Sequence, residues 1–168
     1  MMRSHSKSIT MCAALTAAGL ILGYLESFIV LPVHIPGVRI GLANIVSLMA
    51  FYIAGPVYAV TVTCLRVILS AVLFGSPVSF IYSISGAVMA LLGMYVFSKA
   101  GFSIYGVSVA CAVLHNTAQI CVAFILVGSG YVFYYLAPLC GVAVITGLIV
   151  GFLSDVLINR LAGITDGF

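Results

Sequence analysis

The sequence has very little charge. Its 168 residues include six Lys or Arg and three Asp or Glu, so charged residues make up 5% of the chain, against the roughly 25% that is usual in soluble domains. Hydrophobic residues make up 64%. This composition excludes an ordinary soluble domain and indicates an integral membrane protein. The net charge of +3 is small and scattered, which argues against nucleic-acid binding, because that function needs basic residues gathered on one face.

Three kinds of functional motif are also missing. The five cysteines lie in apolar segments without C-x-x-C or other ligand spacing, so we interpret them as small buried hydrophobes. There is no G-x-x-x-x-G-K-[ST] loop, so ATP hydrolysis would need a partner. The acids Glu26, Asp155 and Asp166 are far apart in sequence, whereas isoprenoid diphosphate chemistry needs Mg²⁺ held by clustered carboxylates. We therefore predict no resident metal or cofactor and no enzymatic activity.

The apolar runs, divided at Pro, Gly and charged residues, predict six transmembrane helices in a single membrane domain that covers residues 1–168. The predicted helices span about 8–30, 39–54, 56–74, 78–98, 103–127 and 132–158. Gly55-Pro56 separates helices 2 and 3, because proline lacks an amide donor and disfavours helix in the residue before it. Helix 1 is too long for the apolar core of a signal peptide, so we expect it to be retained.

The basic residues at the helix ends predict the topology. Arg3, Lys7, Lys99 and Arg160 flank one side of the predicted bundle, and the other side has only Arg39. Because Lys and Arg are enriched in cytoplasmic segments, we expect both termini in the cytoplasm. Two termini on the same side of the membrane require an even number of spans, which agrees with the six predicted helices.

The polar side chains inside the apolar runs are the candidate functional residues, because a charge at membrane depth costs roughly 2.5 to 3.5 kcal/mol. Depths below the outer surface follow from the helical rise. They are roughly 6 Å for Glu26, 8 Å for Asn44, 12 Å for Arg66 and Gln119, and 16 to 18 Å for His115 and Asn116. The inner half of helices 1 to 5 has almost no such groups. This asymmetry is typical of an outward-facing pocket.

Several of the polar residues also have an interpretation that is purely structural. Arg66 could form an ion pair with Glu26 or could receive an anionic group of a ligand. Arg39 could extend to the lipid headgroups. His115 and Gln119 share one helical face. The two amides, Asn116 and Gln119, could serve only as interhelical hydrogen-bond partners.

Two further segments could act around such a pocket. The loop 31–38 contains His34, Pro36 and Gly37, and it either covers a ligand at the outer mouth as a gate or simply connects two helices. Helix 1 carries small residues at spacings that let another helix approach its backbone closely, either within the bundle or from a partner. These residues are Ala13, Ala14, Ala17 and Ala18.

Four sequence elements together resemble one family. They are Leu25-Glu26-Ser27, the run IPGVRIGLANI from Ile35 to Ile45, Arg66 followed by Phe74-Gly75, and His115-Asn116-x-x-Gln119. They are similar to the Gx transporter family, also labelled heptaprenyl diphosphate synthase component I, which resembles the S components of energy-coupling factor (ECF) vitamin transporters. The resemblance covers helices 1 to 5.

The resemblance implies an S-component-like bundle in the inner membrane of a prokaryote. Such a subunit captures a small solute from outside and docks on an energising module, a transmembrane coupling protein with ATPases. The alanines of helix 1 stand where the docking motif would be. None of these properties follows from composition or spacing.

We therefore expect a membrane transporter subunit, in contact with lipid, that binds a small anionic solute such as a vitamin or a quinone precursor. Arg66 would bind the anionic group, and His115 and the amides would orient the solute. Two alternatives stay open, a non-transporting membrane partner in a quinone, redox or isoprenoid assembly, and an isoprenoid-forming enzyme. The expected cavity is lined by Glu26, Arg39, Asn44, Arg66, His115, Asn116 and Gln119.

Overall fold

Helices make up all of the regular structure in the described part of the chain. A computed structural model describes the backbone of residues 2–26, 28 and 41–165 and the side chains of 9–26, 28 and 41–161. Within these ranges there are six α-helices, one 3₁₀ helix and no β-strand. The elements are α1 (Met2–Glu26), α2 (Asn44–Ala54), α3 (Pro56–Phe74), α4 (Pro77–Lys99), α5 (Ile104–Val127), the 3₁₀ helix (Gly130–Tyr135) and α6 (Leu136–Thr165).

Five helical segments are long and apolar enough to cross a membrane. They are Ile9–Glu26, Pro56–Phe74, Pro77–Lys99, Ile104–Val127 and Gly130–Leu161. The buried share ranges from 28% to 39% across the five segments. Many large apolar side chains on them are exposed, for example Val57, Val72 and Ile125. So much exposed apolar surface is unfavourable in water. The protein is therefore a multi-pass membrane protein whose outer surface contacts lipid.

The short helix α2 is largely buried within the bundle. Its 11 residues reach about 16 Å, less than the roughly 30 Å of a hydrocarbon core. The prediction started this helix at residue 39, but Gly41 has a φ of +90° and the helix begins at Asn44. A positive φ belongs to the left-handed region, which ends a right-handed helix and favours glycine. All residues from Asn44 to Ala50 are buried.

The six α-helices form a closed ring that includes α2. Neighbours contact each other in the order α1, α3, α4, α5, α6 and then α2, which returns to α1. In addition, α2 contacts α3 and α4. The α5–α6 pair approaches closely because Gly147 and Gly151 lie against the backbone of α5. Polar groups on α2 therefore meet side chains from several helices at once.

Short signals in the sequence set the helix ends. Gly55, with a φ of +98°, ends α2, and Pro56 begins α3, where its missing N–H costs nothing. The Ser76 and Ser103 hydroxyls each accept a hydrogen bond from the backbone N–H three residues on, as N-caps of α4 and α5. Gly128 ends α5 in the left-handed conformation, a common helix stop. The predicted sixth helix starts as a 3₁₀ turn, and its α-helical part begins at Leu136.

Candidate functional site

A group of polar side chains is buried at the centre of this apolar protein. Each of them is less than 10% exposed, and they come from α1, α2, α3 and α5. A buried polar group is costly unless it has hydrogen-bond partners, so the arrangement of these partners decides what the group can do. The members are Glu26, Asn44, Arg66, His115, Asn116 and Gln119.

Glu26 ends α1 and is tied to the chain entering α2. Its Oε1 atom accepts a hydrogen bond from the backbone N–H of Gly41. An acidic residue at a helix C-terminus opposes the helix dipole, so Glu26 does not stabilise α1 through that field. Its position holds the end of α1 next to the start of α2.

Arg66 lies on α3 and faces α1 and α2. Its Nη2 atom donates to Asn44 Oδ1 at 3.4 Å. The aliphatic part of the side chain packs against Gly19 of α1, where an ideal Cβ would lie 2.7 Å from Arg66 Cδ. A side chain larger than hydrogen at position 19 would therefore displace the arginine. The guanidinium is buried where three helices meet.

A second polar contact lies one helical turn away from the first. Thr63 Oγ1 donates to Ser47 Oγ at 2.7 Å. Ser47 follows Asn44 by three residues, and Thr63 precedes Arg66 by three, so antiparallel packing of α2 and α3 aligns the two contacts. The sequence prediction did not include Ser47 or Thr63. The matching i, i+3 spacing of polar residues on the two helices is the signal that could have found them.

His115 and Gln119 form a pair on one face of α5. Their Nε2 atoms lie 3.1 Å apart, within hydrogen-bond distance. The imidazole lies directly against Gly86 of α4, where an ideal Cβ would be 2.5 Å from His115 Cε1. On another side, an ideal Cβ on Gly41 would lie 3.9 Å from His115 Cδ2 and 2.9 Å from Asn44 Nδ2. Gly41 thus lies between the His115 pair and the Arg66–Asn44 pair.

Asn116 is directed toward α6. Its Nδ2 atom donates to the backbone carbonyl of Leu139 at 3.2 Å, which is the interhelical hydrogen bond considered as its structural interpretation. Its Oδ1 atom is buried and has no hydrogen-bond partner among the described residues. Although it is adjacent to His115 in sequence, its donor group stabilises the α5–α6 contact.

The cavity next to Gly41 and Asn44 is small. It is lined by Gly41, Asn44, Ser108, Thr146 and Gly147, among others, and it holds about 10 Å³, the space of roughly one water molecule. A solute of vitamin size needs roughly 300 Å³ or more. This cavity is therefore too small for such a solute, which could bind there only if the surrounding helices moved apart.

The remaining predicted residues fall into two groups. Arg39 and the gating residues His34, Pro36 and Gly37 lie outside the described residues. The alanines of α1 are all exposed, whereas the opposite face of that helix, with Leu15, Gly19 and Gly23, is buried. The alanine face, Ala13, Ala14, Ala17 and Ala18, is thus left uncovered by the described helices.

One acid lies far from the Arg66 site. Asp155 on α6 accepts a hydrogen bond from the Tyr105 hydroxyl at 2.9 Å and another from Asn159 Nδ2 at 3.2 Å. The Tyr105 hydrogen bond holds the end of α6 against the start of α5, whereas the Asn159 hydrogen bond lies within α6. Among the described residues, no three His, Cys, Asp or Glu side chains are grouped as metal ligands.

Comparison with known proteins identifies the family. The family model described as heptaprenyl diphosphate synthase component I matches residues 15–157. The chain belongs to this family. The match includes α2 to α5 and every buried polar residue of the candidate site. No curated protein and no solved structure is detectably similar to the chain. The family name describes a synthase component, and the helical membrane fold is that of a subunit embedded in lipid.

Proposed function

We propose that this member of the heptaprenyl diphosphate synthase component I family is an S-component-like transporter subunit. It captures a small anionic solute in the half of the bundle that faces outward. The observation that carries this proposal is the buried guanidinium of Arg66 at the junction of three helices, where it donates to the amide oxygen of Asn44. Arginine forms strong, directional hydrogen bonds with carboxylate and phosphate groups, so the solute's anionic group is placed there.

The neighbouring groups supply orientation. His115 and Gln119 lie across Gly41 from the Arg66–Asn44 pair, so a solute bound to Arg66 extends toward the imidazole and the amide. Glu26 holds Gly41 and therefore fixes the start of α2 beside the site. Because the cavity next to Gly41 and Asn44 holds about 10 Å³, binding of a solute there requires the surrounding helices to move apart.

The exposed alanine face of α1 supports the second half of the proposal. The opposite face of this helix lies on Arg66 and Val46 through Gly19, so α1 connects the solute site with the surface of the bundle. Small residues allow a transmembrane helix of another protein to approach closely. We assign this face to a transmembrane coupling protein, which together with ATPases would supply the energy that this chain has no motif to supply.

The family name also favours a second function, a non-catalytic membrane subunit in an isoprenoid or quinone assembly. Diphosphate condensation needs Mg²⁺ bridged by several carboxylates, whereas Glu26 accepts a hydrogen bond from Gly41 and Asp155 accepts one from Tyr105 on α5. In that function the alanine face would bind a catalytic partner. Stable co-purification with such an enzyme, together with no response to any solute, would favour it over transport.

Thermal unfolding of the purified protein in lipid nanodiscs tests the proposal. The panel of compounds comprises vitamins, flavins, and quinone and isoprenoid precursors. A ligand that binds only the folded state stabilises it by about 2.7 kcal/mol at 100 times its Kd. We expect stabilisation by one anionic class in the wild type and in Arg160→Met, whose arginine is exposed, and none in Arg66→Met. Equal stabilisation of all three proteins would refute the site.

A further inference from the structure

The imidazole of His115 lies between two glycines from different elements. An ideal Cβ atom built on Gly86 would lie 2.5 Å from Cε1, 2.6 Å from Nδ1 and 2.8 Å from Nε2 of the His115 ring. Real Cβ atoms are not found that close to other heavy atoms. The ring therefore occupies the volume that any other residue at position 86 would fill. Gly41, with the Cβ position 3.9 Å from Cδ2, lies at another edge of the ring.

Neither the backbone of α4 nor a helix end explains a glycine at position 86. Gly86 lies in the interior of Pro77–Lys99, and glycine in a helix interior costs roughly 1 kcal/mol relative to alanine. Its φ is not in the left-handed region. The contact with His115 is the feature of this position that requires the absence of a side chain.

We propose that Gly86 is a positioning residue for His115, so that α4 determines where the imidazole lies in the solute site. This inference rests on the proposed function. The ring is buried, and Gln119 holds it at Nε2, so it cannot turn away from an added methyl group without losing that contact. Gly86 sets the distance between the imidazole and the Asn44–Arg66 pair without itself contacting the solute.

Gly93 provides a matched control. It lies on α4 two turns after Gly86, and it is buried against α5 as well. An ideal Cβ there would be 2.8 Å from Leu114 Cδ1 and 3.3 Å from Cys111 Sγ. The terminal methyl of Leu114 can rotate away, because it is the end of a flexible side chain. Gly93→Ala therefore tests close α4–α5 packing without touching the imidazole.

The experiment is a nitrogen-15 NMR spectrum of the protein labelled in its histidine rings, in lipid nanodiscs without ligand. The chain has three histidines, and the signals that disappear in His115→Ala belong to His115. We expect Gly86→Ala to shift these signals and Gly93→Ala to leave them in place. Unchanged His115 signals in folded Gly86→Ala would overturn the proposal.

A second measurement decides the case in which Gly86→Ala does not fold. The same substitution is then made in the His115→Ala background, where the imidazole is absent. If the double variant folds, the clash is with the ring and the proposal stands. If the double variant also fails to fold while Gly93→Ala/His115→Ala folds, Gly86 is required for another reason and the proposal is wrong. Neither result depends on a solute, so the proposed function is tested separately by the thermal panel.

Discussion

Replacing Arg66 with methionine separates a solute-binding role from a structural one. Methionine has an unbranched side chain that can fill most of the space beside Gly19 and Val46, and it removes the charge and the hydrogen bond to Asn44. A hydrogen bond to a charged group contributes about 1.5 to 3 kcal/mol. Since each 1.4 kcal/mol is tenfold in affinity, we expect the solute to bind about 10- to 150-fold more weakly.

The same substitution has an opposite effect on stability under the two interpretations. If Arg66 serves the solute, an apolar replacement removes a buried charge, and the unliganded protein keeps its stability or gains some. If Arg66 instead forms a structural ion pair with Glu26, its loss leaves a buried carboxylate without its partner and costs about 3 to 5 kcal/mol. The two interpretations therefore predict different unfolding of the protein without solute.

The assay is thermal unfolding in nanodiscs with and without the compound that stabilises the wild type. Arg66→Lys belongs in the same series, because lysine keeps the charge but not the planar donor geometry, and it should lose less affinity than Arg66→Met. Arg160→Met controls for loss of positive charge. Strong destabilisation of unliganded Arg66→Met, with solute affinity unchanged in the folded fraction, would refute the reasoning.

Three further predictions concern other parts of the molecule. Ala17→Leu should abolish co-purification with a membrane partner and leave solute binding unchanged, whereas Val57→Leu, at an exposed position, should affect neither co-purification nor solute binding; loss of solute binding in Ala17→Leu would contradict this. Tyr105→Phe removes the hydrogen bond to Asp155 and should slightly lower the midpoint of thermal unfolding, with no change in solute affinity. Gly41→Ala should destabilise by about 1 to 3 kcal/mol, because its φ of +90° is unfavourable for alanine; wild-type stability in that variant would show that the φ relaxes.

The helices could be predicted from local sequence because their signals are local. Apolar runs divided by Gly55-Pro56 and by Gly75-Ser76-Pro77 gave α3 and α4 within one residue of their observed bounds. The start of α2 was placed too early, because Gly41 to Ala43 continue the apolar pattern of the helix. Only the positive φ of Gly41 shows that the helix begins after it. The 3₁₀ segment before α6 was not predicted either, since its residues are as apolar as those that follow.

Burial of the polar residues could also be expected, but their partners could not. Their depth along each helix follows from residue counts, whereas the contacts between helices depend on rotation and packing that one sequence does not show. Asn116 and His115 are adjacent in sequence, but one bonds to α6 and the other lies against α4. Gly86 was missed for the same reason, because a single glycine in an apolar helix gives no local signal of the ring beside it.

The most direct measurement is an experimental structure of the protein with the compound that stabilises it most. We predict that the anionic group of this compound lies within hydrogen-bond distance of the Arg66 guanidinium. His115 should face the remainder of the molecule, and the cavity next to Gly41 and Asn44 should be enlarged to hold it. A compound bound on the lipid-facing surface, away from Arg66 and His115, would contradict the proposed binding mode.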